Sequence, residues 1–156
     1  MESERLSFRE ISAEDAEIIV RWRSDYNVYK YFLSPHKITL DEHLNWYKNI
    51  YLKNSDREDY IAEIKLLNKP VGVFGLVFCD DKTVEINYLL DKKYQGKGYA
   101  SEAVKYLICY SKKLRGCKRV VAEVHKDNIS SIKLVKKLGF AESNIEGNIV
   151  LFEKKI

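Results

Sequence analysis

Gln95-Gly96-Lys97-Gly98-Tyr99-Ala100 separates two segments of opposite habit. Before it, Val84 to Leu90 (VEINYLL) is short, apolar and partly β-branched, as a buried strand is. After it, Ser101 to Leu114 places Ala103, Val104, Leu107, Ile108 and Leu114 on one helical face. The glycines thus stand where a strand turns into a helix. There the first N–H groups of the helix have no partner of their own, and the positive end of the helix dipole faces an anion. Gly96 and Gly98 let the backbone approach a phosphate closely. The stretch is not a Walker A loop, which closes on G-K-[ST]. Nor is it G-x-G-x-x-G, because Ser101 stands where the third glycine would.

A second segment repeats the pattern. Val120 to Val124 reads as a buried strand, His125-Lys126-Asp127-Asn128 follows, and a helix over Ile129 to Leu138 stops at Gly139-Phe140. Upstream, a strand over Leu6 to Ile11 leads to Ser12, which with Asp15 forms a capping box for a helix carrying Ala16, Ile18, Ile19, Val20 and Trp22 and breaking near Asp25-Tyr26-Asn27. The aromatic run Tyr29 to Leu33 ends before Pro35. Thr39 and Glu42 form a second capping box, for a helix with Leu44, Tyr47, Ile50 and Tyr51 on its apolar side. Strands over Tyr60–Leu66, Val71–Cys79 and Thr83–Leu90, divided by Asn68-Lys69-Pro70 and Asp80-Asp81-Lys82, form an antiparallel meander. The helix after the glycines is long enough to join parallel neighbours. Phe140–Ile145 and Asn148–Lys154 close the chain as a strand pair, with residues 148–154 expected at an edge open to a partner chain. The fold class is α/β: a mixed, mostly antiparallel sheet with a central parallel pair and helices on both faces.

The chain has 156 residues, one domain's worth, with 46% hydrophobic and 32% charged residues. Its net charge of +4 is spread along the sequence and interleaved with acids, which argues against a nucleic-acid partner. Cys79, Cys109 and Cys117 are odd in number and lack metal or redox spacing, so they read as small buried or half-buried thiols and no metal is expected. The charged N-terminus and the shortness of the apolar run Val71–Cys79 point to a cytoplasmic protein without membrane attachment.

Gln95, Gly98 and Ala100 in the loop, then Asn128-Ile-Ser-Ser131 and Lys137-Leu-Gly-Phe140, together resemble the GNAT family of N-acetyltransferases. Arg9-Glu-Ile-Ser-Ala-Glu-Asp15 and Arg21-Trp-Arg-Ser24 extend the resemblance over residues 1–156. It implies the mixed sheet described above and acetyl-CoA as donor to a small-molecule amine. It also implies that Tyr88, Leu89 and Leu90 offer their backbone to the pantetheine arm. The N–H groups of Gln95, Gly96, Lys97, Gly98, Tyr99 and Ala100 would hold the pyrophosphate, and Asn128 would orient the pantetheine end. Asn128 also fits a helix cap, and Tyr88 and Leu90 share a face with Ile86 as core residues do.

One position departs from the family. Many relatives have Tyr seven residues after the Asn, where it protonates the departing thiolate; here the residue is Val135. Glu85 is the candidate base, with an exposed strand charge as the alternative. His43 has a pKa suited to proton relay or acceptor contact, and His125 stands at a strand end near the cofactor. Arg23 and the helix bearing His43-Leu-Asn-Trp46 resemble two branches: acetyltransferases of nucleotide-linked amino sugars, as in pseudaminic-acid-type pathways, and those of ribosomal-protein N-termini. The amino-sugar branch is favoured, because Arg pairs with a diphosphate and aromatics stack on a base or sugar. A polyamine acceptor and a non-catalytic acetyl-CoA-binding module are the alternatives. A monomer or homodimer fits either.

Overall fold

A computed structural model describes residues 1–32 and 34–156; the last residue of the aromatic run Tyr29–Leu33 lies outside the described residues. The elements are β1 (Leu6–Glu10), α1 (Ala16–Arg23), α2 (Tyr26–Tyr29), α3 (Leu40–Asn49), β2 (Arg57–Ile64), β3 (Lys69–Phe78), β4 (Thr83–Leu90), α4 (Tyr99–Arg115), β5 (Arg119–His125), α5 (Ile129–Lys137), β6 (Ala141–Glu146) and β7 (Ile149–Lys155). One seven-stranded sheet has the order β1-β2-β3-β4-β5-β7-β6, with β4–β5 its parallel pair and every other pairing antiparallel.

Period-two alternation divides the strands between two layers. Phe74, Leu76, Val84, Ile86, Val120, Ala122 and Phe152 join Val104 and Leu107 of α4 and Val135 of α5 in the larger core. On the opposite face Ile61 and Leu89 pack with Ile19 and Trp22 of α1. Leu107 is fully buried, so Leu107→Ala would cost about 2–5 kcal/mol. Ends are set by local chemistry. Thr39 Oγ1 accepts from the Glu42 N–H at 3.2 Å, and the Glu42 carboxylate accepts from the Thr39 N–H at 2.7 Å. Asp15 accepts from the Ser12 N–H at 2.8 Å and grips Arg9 through both carboxylate oxygens.

Three expectations change. Strand β7 pairs with both β5 and β6, so residues 148–154 are interior to the sheet; β1 and β6 are its edges. Helix α3 turns His43 inward at 2% exposure and leaves Ile50 exposed, because the chain has turned out of the helix by Ile50. Cys79 and Cys109 are exposed and only Cys117 is buried. Among the described residues no helix is long and apolar enough to cross a membrane.

Candidate active site

The parallel pair is short. Register runs Thr83↔Arg119, Val84↔Val120, Glu85↔Val121 and stops, so β4 beyond Glu85 bonds only to β3 and β5 beyond Val121 only to β7. A slot therefore opens between the C-terminal halves of two central strands, the usual position for a ligand in a sheet containing parallel strands. Tyr88, Leu89 and Leu90 form its β4 side.

The glycine loop lies at the end of that strand. Gly96 and Gly98 have φ of 75° and 83°, left-handed values that L side chains resist. Gly98 is the N-cap of the 17-residue α4 and supplies no side chain to cap it. Among the described residues, the N–H groups from Gly96 through Ser101 donate to no protein acceptor. That row of donors at a helix N-terminus fits a diphosphate. Gln95 differs: its N–H donates to the Lys92 carbonyl at 3.3 Å and its Nε2 to the Leu90 carbonyl at 3.3 Å, so it shapes the turn. Arg5 braces the loop. Its Nε donates to Glu102 at 2.7 Å, its Nη1 to the Lys97 carbonyl at 3.2 Å, and its guanidinium lies over the Tyr99 ring.

Asn128 caps α5. Its Oδ1 accepts from the Ser131 N–H at 3.2 Å and the Ser130 hydroxyl at 3.0 Å, leaving only its NH2 group for a ligand. Tyr88 is half-buried against the larger core, yet its hydroxyl oxygen is shielded from solvent and has no hydrogen-bond partner among the described residues.

On the other face of the sheet lies a cleft of about 400 Å3 whose polar lining includes Arg23, Glu85, Asn87, Glu123 and His125. They come from three elements. Arg23 ends α1, and the preceding Trp22 is buried and donates through Nε1 to Asp91, just past β4, at 3.0 Å. Glu85 and Glu123 come from the two parallel strands. Burial, then the neighbouring Glu123, pushes the Glu85 carboxyl up, with Arg57 opposing. Asn87 stands above Gly75, where a Cβ would collide with both Asn87 Oδ1 and Asp59 Oδ1. Asp59, 3% exposed, is held by Arg57 Nε at 2.9 Å, and burial raises its pKa.

The Arg23 guanidinium lies over the Phe32 ring at 5.3 Å and makes no ion pair among the described residues. Burial, then Arg57, lowers its pKa, with Asp59 opposing. His125 Nδ1 accepts from the Asp127 N–H at 3.2 Å, a pattern that assigns the ring proton to Nε2.

Glu85 and Arg23, expected from sequence, thus meet in one cleft with His125. His43 does not line it. The ring packs against Trp46 at 5.4 Å between centroids, and burial followed by the nearby Arg23 lowers its pKa. A buried histidine behind Arg23 replaces the expected relay or acceptor contact, because α3 packs His43 and Trp46 inward as well as Tyr47. Sequence reasoning missed Asn87, Glu123 and Asp59. For Asn87 and Glu123 the signal was a polar group at every second place in otherwise apolar strands, Glu85-x-Asn87 and Glu123-x-His125; Asp59, in the polar run Arg57-Glu58-Asp59, carried none.

An open slot between parallel strands, ending in unspent helix N–H donors and backed by a cleft with a half-buried carboxylate, offers a phosphate-bearing ligand and a second small molecule adjoining places. The sequence profile for the acetyltransferase (GNAT) domain matches residues 5–141, and the chain belongs to that family of acetyl-CoA-dependent acyltransferases. It is 30% identical over 148 residues to the uncharacterized N-acetyltransferase p20 of Bacillus licheniformis, covering 92% of this chain and 83% of that one. A crystallised domain from Methanocaldococcus jannaschii superposes with TM-score 0.86 and 26% identity, covering 97% of this chain and 99% of the other. Spermidine N-acetyltransferase from Vibrio cholerae, solved with CoA and spermine, has TM-score 0.86 over 98% and 96% of the two chains; at 18% identity it shares the fold.

Proposed function

We propose that this acetyltransferase, acting as one catalytic domain over residues 1–156, acetylates the primary amine of a small acceptor that also carries an anionic group. A nucleotide-linked amino sugar is the acceptor class that matches best. The observation carrying this reading is the Arg23 guanidinium, without an ion pair among the described residues, in the same cleft as Glu85 and Glu123. Two carboxylates attract the ammonium group, and a desolvated guanidinium with no ion pair among the described residues binds a phosphate or carboxylate through paired N–H bonds.

The chemistry follows from these placements. Only a neutral amine attacks a thioester, and amines of lysine type titrate near 10.4. Glu85 takes the proton, and its raised pKa makes it a stronger base than a solvated carboxylate. Asn87, fixed over Gly75, offers an amide to the acceptor. On the donor side, N–H groups from Gly96 to Ala100 bind the pyrophosphate, the β4 backbone at Tyr88–Leu90 binds the pantetheine amides, and the Asn128 NH2 orients its end. Acetyl-CoA supplies the activated acetyl group.

A panel of amines offered with acetyl-CoA tests the reading, with thiol release read alongside product mass and release without protein subtracted. The expected result is acetylation of UDP-4-amino sugars well above spermidine and peptide N-termini. Acetyl-CoA binding without turnover of any anion-bearing amine would overturn it.

A polyamine acceptor is the second reading, favoured by the paired carboxylates and by the spermine bound in the Vibrio cholerae neighbour. It requires a polycation to pass Arg23. Arg23→Ala would then improve spermidine turnover, whereas the amino-sugar reading predicts a loss with its own acceptor.

A further inference from the structure

Three side-chain atoms are shielded from water and lack a hydrogen-bond partner among the described residues: His43 Nδ1, Asp59 Oδ1 and the Tyr88 hydroxyl. His43 packs its ring on Trp46 and Tyr88 has Ser131 beside it, and neither lines the cleft at Glu85. Asp59 differs, because a side chain that does line the cleft stands next to it. Asp59, Gly75 and Asn87 are cross-strand partners on β2, β3 and β4, in register and on one face of the sheet. A Cβ at Gly75 would lie 2.2 Å from Asp59 Oδ1 and 2.5 Å from Asn87 Oδ1, so the two polar groups close over the glycine from either side. Glycine inside a strand marks such a close approach.

An amide keeps its shape when its oxygen and nitrogen are exchanged, so its hydrogen-bond partners decide which end points where. With Oδ1 toward Asp59, two acceptors crowd one place and the buried carboxylate oxygen stays unpaired. The other orientation pairs it: the Asn87 NH2 donates to Asp59 Oδ1, and Asn87 Oδ1 turns to the cleft. Asp59 Oδ2 accepts from Arg57 Nε at 2.9 Å, and Arg57 and Arg23 oppose the rise in pKa that burial imposes on this carboxyl. A charged carboxylate has only acceptors to offer, so Asn87 supplies the hydrogen.

We propose that Asp59 locks the Asn87 amide, taking its NH2 and so presenting its carbonyl oxygen to an N–H of the acceptor amine. This deepens the acceptor reading above and rests on it. Asn87 lies two residues from Glu85 on the same face of β4. As Glu85 takes one proton from the ammonium group, Asn87 Oδ1 holds a second N–H, which fixes the direction of the freed lone pair. An amine keeps an N–H for Asn87 after that proton has gone, whereas an alcohol keeps none, so the lock selects nitrogen over oxygen acceptors. Asp59 touches no substrate and is a positioning residue.

The lock is read first in the free protein. The Asn87 NH2 signals, identified by their loss in Asn87→Ala, should exchange with solvent on the order of tenfold more slowly than those of exposed asparagines. Exchange as fast as theirs would put the NH2 in the cleft and overturn the proposal. Kinetics with a UDP-linked 4-amino sugar and with spermidine tests the consequence. Asp59→Asn lets residue 59 donate instead, which reverses the Asn87 amide. The acceptor KM should then rise about tenfold for whichever amine the parent acetylates, with the acetyl-CoA KM unchanged. Asp59→Asn combined with Asn87→Asp restores a matched pair with an oxygen toward the cleft, and it should recover most of the acceptor KM. A role of Asp59 through Arg57 alone predicts no recovery, because the combined variant still lacks the carboxylate at position 59. An unchanged acceptor KM in Asp59→Asn, or no recovery in a folded double variant, would overturn the lock; should the double variant not fold, the exchange rate decides. If the parent acetylates neither amine, the acceptor reading itself falls, and this role of Asn87 with it.

Discussion

The proposed donor half and the proposed acceptor half of the site are built on different principles. The donor half is almost wholly backbone: N–H groups from Gly96 to Ser101, the free edge of β4 and one capping asparagine, all within the span from β4 to α5. The acceptor half is almost wholly side chain, gathered from the end of α1, from β4 and from β5. A backbone cradle tolerates any side chain that keeps the turn, so it suits a donor of constant structure. A side-chain cleft changes with each substitution, so it suits the proposed role in acceptor choice. Substitutions in the two halves should accordingly separate in kinetics.

The largest separation is expected at Glu85. Glu85→Gln should lower kcat by roughly 10²–10³, the range of a general base, and leave acetyl-CoA affinity unchanged. The fold holds this carboxyl's pKa above its ordinary value, so the native state keeps the proton to higher pH than the unfolded chain does. The charged form therefore costs stability as pH rises from the ordinary carboxylate range through the raised value, and Glu85→Gln should melt higher than the parent at pH 7. A variant that loses activity and stability together would make Glu85 structural.

Gly98→Ala works on the other half. At φ 83°, with a Cβ 3.3 Å from Arg5 Nη2, the substitution should cost about 1 kcal/mol of stability. It should also raise the acetyl-CoA KM severalfold without altering the acceptor KM. Asn128→Ala removes a cap worth about 1 kcal/mol, and a fall in Tm is expected with a further loss of acetyl-CoA affinity. A fall in Tm alone would confine Asn128 to capping. The smallest effect sharpens the acceptor half. Glu123 raises the Glu85 pKa, so Glu123→Gln should move the rising limb of the kcat/KM–pH profile to lower pH. A shift in the other direction would remove Glu123 from the cleft's electrostatics.

The same division explains what could be read from sequence. The donor half was legible because strand, glycines and helix are consecutive, and their physics is local: alternation, left-handed φ, a dipole. Strand β4 occupies the Thr83–Leu90 span read from sequence, and the helix read over Ser101 to Leu114 lies within α4, Tyr99–Arg115. The acceptor half depends on which residues from distant segments meet. Arg23 and Glu85 were found individually, but Glu123 joins them only through the parallel register Glu85↔Val121, and Asn87 and Asp59 only through the antiparallel pairs across Gly75. His43 was misread because α3 has apolar residues on more than one face, and packing buries His43 and Trp46 as well as the expected Tyr47. The edge at 148–154 was misread for the same reason: β7 inserts between β5 and β6, an order that the sequence of hairpins does not reveal.

The most direct test of the acceptor cleft is kcat/KM for a UDP-linked 4-amino sugar and for the same sugar without its nucleotide, in the parent and in Arg23→Ala. The cleft geometry predicts that the parent prefers the nucleotide-linked amine by at least tenfold, and that Arg23→Ala erases most of that preference while leaving the acetyl-CoA KM in place. Equal use of both amines by the parent, or an equal loss on both in Arg23→Ala, would contradict an anion site at Arg23.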